Sequence, residues 1–262
     1  MLSKFKLIFK PFGINPIKVI ETFIRYPSFI SDYIKFKKNS VDNSIEFPIN
    51  IFFPCIHDKY EESGQANGHY FHQDLFVANR IFSECPKDHY DIGSRIDGFV
   101  AHVASFRKIK VIDIRTLNIN IENMEFIQAD MMSKLPDDLI ESADSVSCLH
   151  TIEHFGLGRY GDPINADGHL KGFINLLSIL KPEGVLYFAT PIGPQRIEFN
   201  AHRVFSLLYL LNNMFKGFVT VKSFSYVDDS GNFHKNIDLN EDMIKSNFGC
   251  NYGCGIFELV KL

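Results

Sequence analysis

The chain has 262 residues and a net charge of −4, with 45% hydrophobic and 22% charged residues. These proportions suit one sizeable folded domain with an appendage, and the acidic balance argues against a general nucleic-acid binder, which is basic overall. The most apolar runs, 173–180 and 204–211, fall far short of the roughly 18–20 residues that cross a bilayer.

Lysines, Pro11 and Pro16 interrupt the N-terminal apolar residues, which argues against a signal peptide. Cys55, Cys85, Cys148, Cys250 and Cys254 form an odd set without paired zinc spacing. A cytoplasmic setting is therefore expected, with Cys148 as a buried apolar filler. Residues 1–40 hold eight Lys or Arg against Glu21 and Asp32, a net of +6 that leaves −10 for the rest. Two short helices are expected there. One is capped by Asn15 and opened by Pro16, with Ile17, Ile20, Phe23 and Ile24 on one face; the second covers about 28–36. Such a basic, apolar segment suits either a helical lid or peripheral contact with an anionic membrane surface. Residues 41–68, punctuated by Pro48, Pro54, Gly64 and Gly68, read as a linker that closes an extension over 1–68. The main domain is expected over 69–262. Its first stretch, Gly68-His-Tyr-Phe-His-Gln-Asp74, leads into a helical pattern through Leu75, Ala78, Ile81 and Phe82, with Asp74 as the expected N-cap.

From His89 to Pro191, short apolar runs bounded by turn residues alternate with helical segments, the pattern of a parallel sheet covered on both faces. Ligands bind such sheets at the carboxyl ends of the strands. Asp91, Asp113, Asp130 and His150 stand there. Gly93 permits a tight turn after the first run, and the next helix offers free N–H groups; Arg95 and Asp97 fill positions where further glycines often occur. Asp113, about 20 residues on, suits a ribose diol, and Arg115 points to the same face. Asp130 suits an exocyclic adenine amine.

These residues, in this order, resemble the class I S-adenosylmethionine-dependent methyltransferases over roughly residues 70–262. Asp91-Ile-Gly93 resembles the first motif, Asp113 the ribose acid, and Phe126–Asp130 the adenine-side motif. Ile152-Glu153-His154 is similar to the Glu-His of ubiquinone-biosynthesis-type members, and Leu180–Phe188 to the helix-end turn and fifth strand. Thr220–Val227 and Gly255–Leu262 resemble the final antiparallel pair. The resemblance implies an α/β, Rossmann-like seven-stranded sheet, mostly parallel with an antiparallel last strand and helices on both faces. It implies S-adenosyl-L-methionine as cofactor, with Asp91, Gly93, Ser94, Asp113, Asp130 and Met131 as its contacts. Gly68–Asp74, Asp91–Arg95, Glu153–Asp162 and Phe199–Arg203 further resemble an uncharacterised bacterial branch, a domain of unknown function associated with surface-polysaccharide synthesis. That implies a small sugar-type acceptor.

The stretch His150–Asn165 carries Gly156, Gly158 and Gly161 around Arg159, Tyr160 and Asp162, more than a plain connection needs. Methyl transfer requires an in-line nucleophile and, for a hydroxyl, a base. Histidine titrates near neutrality, so His154 or His150 is expected in that role, with Glu153 orienting one of them. Arg159, Tyr160, Asp162, His202 and Arg203 are the expected acceptor contacts, the basic ones through a phosphate-like group. Two other classes remain open: a non-catalytic nucleotide-binding or scaffold module, and a metal-dependent enzyme. His150-Thr-Ile-Glu-His154 fits the H-x-x-E-H zinc signature, which needs both histidines on one helical face. The apolar strand before it and the glycines after it argue against that. The leading reading assigns no metal; the alternative would use His150, His154 and Asp162. Downstream, a core helix opens at Asp167 or Gly168, Phe199–Phe215 turns from polar to helical, and Asp228–Gly231 reads as a hairpin turn.

Overall fold

A computed structural model describes residues 13, 15–39, 49, 51–61, 63–64 and 66–262. Its contacts cluster into two units, Met1–Gln65 and Ala66–Leu262. Lys4, Lys6, Lys10, Pro11 and Pro48 of the sequence reading lie outside the described residues.

In the first unit a single helix, α1 (Pro16–Asn39), replaces the two short ones expected, with Pro27 inside it. The Asn15 side chain accepts the Ile17 amide at 3.1 Å and caps the start. Proline costs a helix one hydrogen bond and a steric clash, and contacts on either side of Pro27 hold the two halves in line. Thr22 and Arg25 reach His57 at 3.0 and 3.2 Å, while Phe29 and Tyr33 pack on Phe52. Lys59 joins Asp32 at 2.8 Å. The polar and aromatic face of α1 is thus the one that segment 51–61 covers.

The second unit is built on α2 (Gly68–Glu84), β1 (His89–Ile92), α3 (Ala101–Ala104), β2 (Ile109–Asp113), β3 (Met124–Gln128), β4 (Ala143–Leu149), α4 (Gly168–Ile179) and β5 (Leu180–Ile192). It continues with β6 (Arg196–Glu198), β7 (His202–Val204), β8 (Val219–Val227), β9 (Phe233–His234) and β10 (Gly253–Lys261). Eight strands make one sheet in the order β3-β2-β1-β4-β5-β10-β8-β9. The first five are mutually parallel, and β10 runs antiparallel to both β5 and β8. This is the Rossmann-like sheet read from the sequence, with an eighth strand added. That strand is the short return of a hairpin, in which the Asp228 carboxylate accepts the Ser230 and Asn232 amides at 2.9 Å.

Both faces of the sheet are filled. One core gathers Phe173, Leu176, Phe188, Phe215 and Phe257 around α4; the other gathers Val77, Ile81, Phe99, Val103 and Ile256 around α2 and α3. Cys148 is fully buried in the first. Burial of apolar side chains on both sides holds the central strands in register and fixes where their carboxyl ends emerge.

Two local readings are corrected. The helix after the linker begins at Gly68 rather than at Asp74, with Asn67 as N-cap residue. Gly68 has φ +82°, so the chain turns there and six further residues join the helix, leaving Asp74 buried in its interior beside Gln73. Residues 202–204 form an edge of a two-stranded hairpin with β6 instead of opening a helix.

Candidate functional site

The carboxyl ends of β1, β2, β3 and β4 and the turns after them border one cleft, lined by Gly93, Asp113, Arg115, Asp130, Met131, His150, Thr151, His154, Tyr160 and Asp162 among others. A pocket of this kind at the strand ends is the usual ligand position in an open α/β sheet. Gly93, at φ +69°, turns the backbone against Thr151; a Cβ there would sit 2.5 Å from the Thr151 Cγ2 atom.

The strand-end acids have three different environments. Asp91 is buried and faces inward: its carboxylate accepts the Ser94 amide at 3.0 Å, the Ser94 hydroxyl at 2.8 Å and the Ser147 hydroxyl at 2.6 Å. Burial drives its pKa up to about 7 against those hydrogen bonds. Asp91 and Ser94 therefore shape the Gly93 turn, and neither borders the main cleft. Asp130 does border it, with one oxygen on the Met132 amide and the other on the Ser133 hydroxyl, both at 2.8 Å. Asp113 faces the cleft with its carboxylate clasped by Arg115. The guanidinium donates to both oxygens, at 3.0 and 2.6 Å, and the Arg115 amide adds a third bond at 2.8 Å. The same guanidinium lies 4.7 Å from the Tyr160 ring centre. Asp113 and Arg115 also line a second cleft beside Ser94, Arg95 and Asp97, so their pair stands between the two. Arg95 and Asp97, at the expected glycine positions, form an exposed ion pair at 2.6 Å.

Across the cleft stands the turn after β4. His150 has φ +50° and is followed by a short 3-10 turn, Ile152–His154, so the two histidines of H-x-x-E-H do not share an α-helical face. The His150 Nδ1 donates to Glu153 Oε1 at 2.7 Å, whereas His154 Nε2 lies 3.9 Å from the same oxygen. Glu153 thus orients His150. Burial opposes a charge on His150, and the Cys254 sulfur and Glu153 outweigh it and hold its pKa well above the usual histidine range. Burial likewise opposes ionisation of Glu153, and His150 more than offsets it. His154 differs: its Nδ1 donates to the Ala201 carbonyl at 2.7 Å, and burial keeps its pKa below the ordinary value. It is a neutral imidazole with Nε2 left as acceptor.

The expected acceptor contacts divide. Tyr160 borders the cleft with Arg159 5.1 Å from its ring centre, and Arg159 donates to the Ala201 carbonyl at 2.9 Å. Asp162 ties the turn together by accepting the Gly156, Gly158 and Tyr160 amides at 2.8, 3.2 and 3.1 Å. That role excludes it from the metal set proposed with His150 and His154. Arg203 is buried and donates to the carbonyls of Phe155 and Ala166 at 2.5 and 3.1 Å, so its guanidinium braces the loop rather than facing a ligand. His202 is half-buried, its ring tilted by 40° at 5.1 Å from the Tyr252 ring and its Nε2 3.4 Å from Glu198. Behind His150, two residues that the sequence did not mark as a pair come together. His69 stacks on its ring at 5.1 Å, and the Cys254 sulfur belongs to the same cluster.

The family model for "Caenorhabditis protein of unknown function, DUF268" matches residues 99–253. The chain belongs to this family. No curated protein matches it. Among solved structures it is similar to the [4+2]-cyclase SpnF, with TM-score 0.51 and 12% identity over 72% of this chain and 80% of that one. It is also similar to a Burkholderia thailandensis 1,6-didemethyltoxoflavin-N1-methyltransferase, at 0.50 and 12% over 72% and 78%. N-methyltransferase NodS from Bradyrhizobium japonicum WM9 gives 0.50 and 10% over 75% and 99%. These likenesses establish the class I methyltransferase fold. One of the three is named a cyclase, so the fold leaves the reaction to be argued from the site.

Proposed function

We propose that the chain is an S-adenosylmethionine-dependent methyltransferase acting on a hydroxyl of a small molecule. The observation that carries this reading is the single cleft joining Gly93, Asp113, Asp130 and Met131 on one wall to His150, Thr151 and His154 on the other. When bound, S-adenosylmethionine supplies an electrophilic methyl group. The residues fit it: the Gly93 turn allows close approach of the backbone, and Asp130 keeps lone pairs free for an amine. Asp113 can take a ribose diol once Arg115 leaves it, which also joins the two neighbouring clefts. His154, neutral and held through Nδ1, is the group that removes the acceptor proton at Nε2. Glu153 fixes His150, and Thr151 supports the Gly93 turn.

The test is thermal stability of the full chain with and without S-adenosylhomocysteine. At about 100 times its dissociation constant, the ligand adds roughly 2.7 kcal/mol, and Asp113→Ala should abolish the shift. His154→Gln should keep the shift and slow transfer on the order of 10²–10⁴-fold. No shift in a folded chain sinks this reading and favours a non-catalytic module, its ribose acid closed by Arg115.

The acceptor we place in the sugar class, as a sugar nucleotide. Arg159 and Arg115 flank Tyr160 at the cleft, and guanidinium groups suit phosphate. The bacterial branch and the role in surface-polysaccharide synthesis rest on the motif resemblance, and the cytoplasmic setting on the odd, unpaired cysteine set. Methylation confined to non-sugar acceptors in a panel containing nucleoside-diphosphate sugars would refute the assignment.

A separate observation supports peripheral contact with an anionic membrane. With segment 51–61 on its polar face, α1 leaves Ile20, Phe23, Ile24 and Ile34 exposed, Phe23 at 77%. Ile20, Phe23, Ile24 and Ile34 recur at helical spacing, and Lys35 and Lys38 follow beside them. No described helix is long and apolar enough to cross a membrane, so the contact would be interfacial. Full-length protein should co-sediment with phosphatidylserine vesicles and lose binding on Phe23→Ser/Ile24→Ser; equal pelleting of the two proteins rejects it.

A further inference from the structure

We propose that His69, His150 and Cys254 form a transition-metal site, of the zinc class, behind His150 at the edge of the cleft. Their candidate ligand atoms all lie within 4.8 Å of one another. They converge from three elements: His69 from the first turn of α2, His150 from the end of β4, and Cys254 from β10.

The arrangement around His150 is what distinguishes the cluster from ordinary packing. Its side chain is almost completely buried, yet Nε2 has no hydrogen-bond partner. The bond from Nδ1–H to Glu153 Oε1, at 2.7 Å, turns Nε2 toward the cluster, where a cation would bind in place of its proton. A carboxylate holding the far nitrogen of an imidazole is the usual outer support of a metal-bound histidine, where it sets the tautomer and ring orientation. Burying a ring nitrogen without a partner is otherwise costly. Cys254 is fully buried; its sulfur faces His150 and has weak contacts to Gln73 Oε1 at 3.8 Å and the Gly255 carbonyl at 3.9 Å.

Two imidazoles and one thiolate are a borderline-soft donor set that suits zinc, with a fourth position left open. Zinc bonds of about 2.0–2.1 Å to nitrogen and 2.3 Å to sulfur place ligand atoms about 3.3–3.6 Å apart in a tetrahedron, so the donors draw in by about 1 Å. A metal lies near the plane of each imidazole it binds. The His69 and His150 rings are stacked with planes 3° apart, so His69 must turn on loading. That turn would break its packing between His150 and Tyr252, whose ring centre lies 5.4 Å away. The thiol gives its proton to water as the ion binds. His150 also borders the cleft, so the site adjoins the proposed methyl-transfer cleft but does not depend on that reading.

The test is metal content and cobalt spectroscopy on the full-length chain. Purified protein equilibrated with zinc and dialysed should retain a stoichiometric ion by elemental analysis, and cobalt substitution should give the thiolate-to-cobalt charge-transfer band. Cys254→Ser and His69→Ala should each lose the ion, and His154→Ala should keep it. Glu153→Gln should weaken zinc binding by about 10–100-fold. His69 lies at the helix start, so His69→Ala tests the site without opening the core, with circular dichroism confirming the fold. Sub-stoichiometric zinc in folded wild type, absence of the cobalt band, or zinc retained by both ligand variants overturns the proposal. Stabilisation by S-adenosylhomocysteine is measured separately, before and after chelation, so failure of the metal site and of the cofactor reading give different results.

Discussion

The two walls of the cleft are built in opposite ways. On the strand-end wall, acids are held by close neighbours in sequence: Asp113 by Arg115, and Asp130 by Met132 and Ser133, with Asp91 behind the wall on Ser94. On the loop wall, the supports come from far along the chain. Arg203 braces residues 155 and 166, Ala201 holds His154, and Cys254 and His69 meet behind His150. The first wall is thus preset by short turns, whereas the second exists only when β7, β10 and α2 have docked. Short turns can adapt to a ligand independently; the loop wall should lose several contacts together.

The largest expected effect breaks the loop wall. Arg203→Met removes the charged donor of the part-buried bonds to the Phe155 and Ala166 carbonyls, and hydrogen bonds to a charged group contribute about 1.5–3 kcal/mol each. It should destabilise the chain by about 3 kcal/mol in a urea titration, with early proteolytic cleavage within 150–165. A loss under about 1 kcal/mol would mean that the loop is held by Asp162 alone and that the contrast between the walls is overstated.

That contrast also explains which parts could be read from the sequence. The parallel sheet was legible because apolar runs and turn residues are local signals, and the acids were legible because they end those runs. The position of Asp113 could be read, but not the state of its carboxylate, since Arg115 could as easily have faced water. Arg203 looked like a ligand contact because a basic residue in a polar stretch has that appearance; the carbonyls it serves are 37 and 48 residues away. His69 and Cys254 carry no shared local signal, being separated from His150 by β1 to β4 on one side and β5 to β9 on the other. The expected pair of short helices is instead one helix that runs through Pro27, its halves held in line by packing on segment 51–61.

An intermediate effect asks whether the strand-end wall is truly local. The His89 ring is buried between the Ser145 and Ser147 hydroxyls, at 2.8 and 3.2 Å, and Ser147 passes the connection to Asp91. Burial depresses the His89 pKa to about 3 and raises that of Asp91 to about 7. Below pH 6.5 the unfolded chain protonates His89 while the folded chain does not, so this residue makes stability fall as pH falls toward 3. Asp91 acts oppositely: between its ordinary value of 3.8 and about 7 the folded state holds the extra proton, and its contribution is lost as pH rises through 7. Relative to wild type, His89→Gln should therefore gain stability as pH drops from 6.5, and Asp91→Asn should gain as pH rises toward 7. Each slope is at most about 1.4 kcal/mol per pH unit. Parallel curves for wild type and both variants would show that neither residue titrates with folding and that Ser147 does not link them.

The smallest effect sharpens the comparison at its boundary, where Arg115 of the first wall meets Tyr160 of the second. Arg115 is half exposed, while Asp113 is mostly covered, and ion pairs with one exposed partner contribute between about 0 and 1 kcal/mol. If ribose binding must displace Arg115 from Asp113, Arg115→Ala removes that competition and should tighten S-adenosylhomocysteine binding by about two- to fivefold. The gain should shrink at high salt, because screening weakens the wild-type pair that it removes. Weaker binding in Arg115→Ala would show instead that the guanidinium contacts the ligand directly. In that case the residue that now closes the ribose acid would be part of the cofactor site, and the two walls would meet through it.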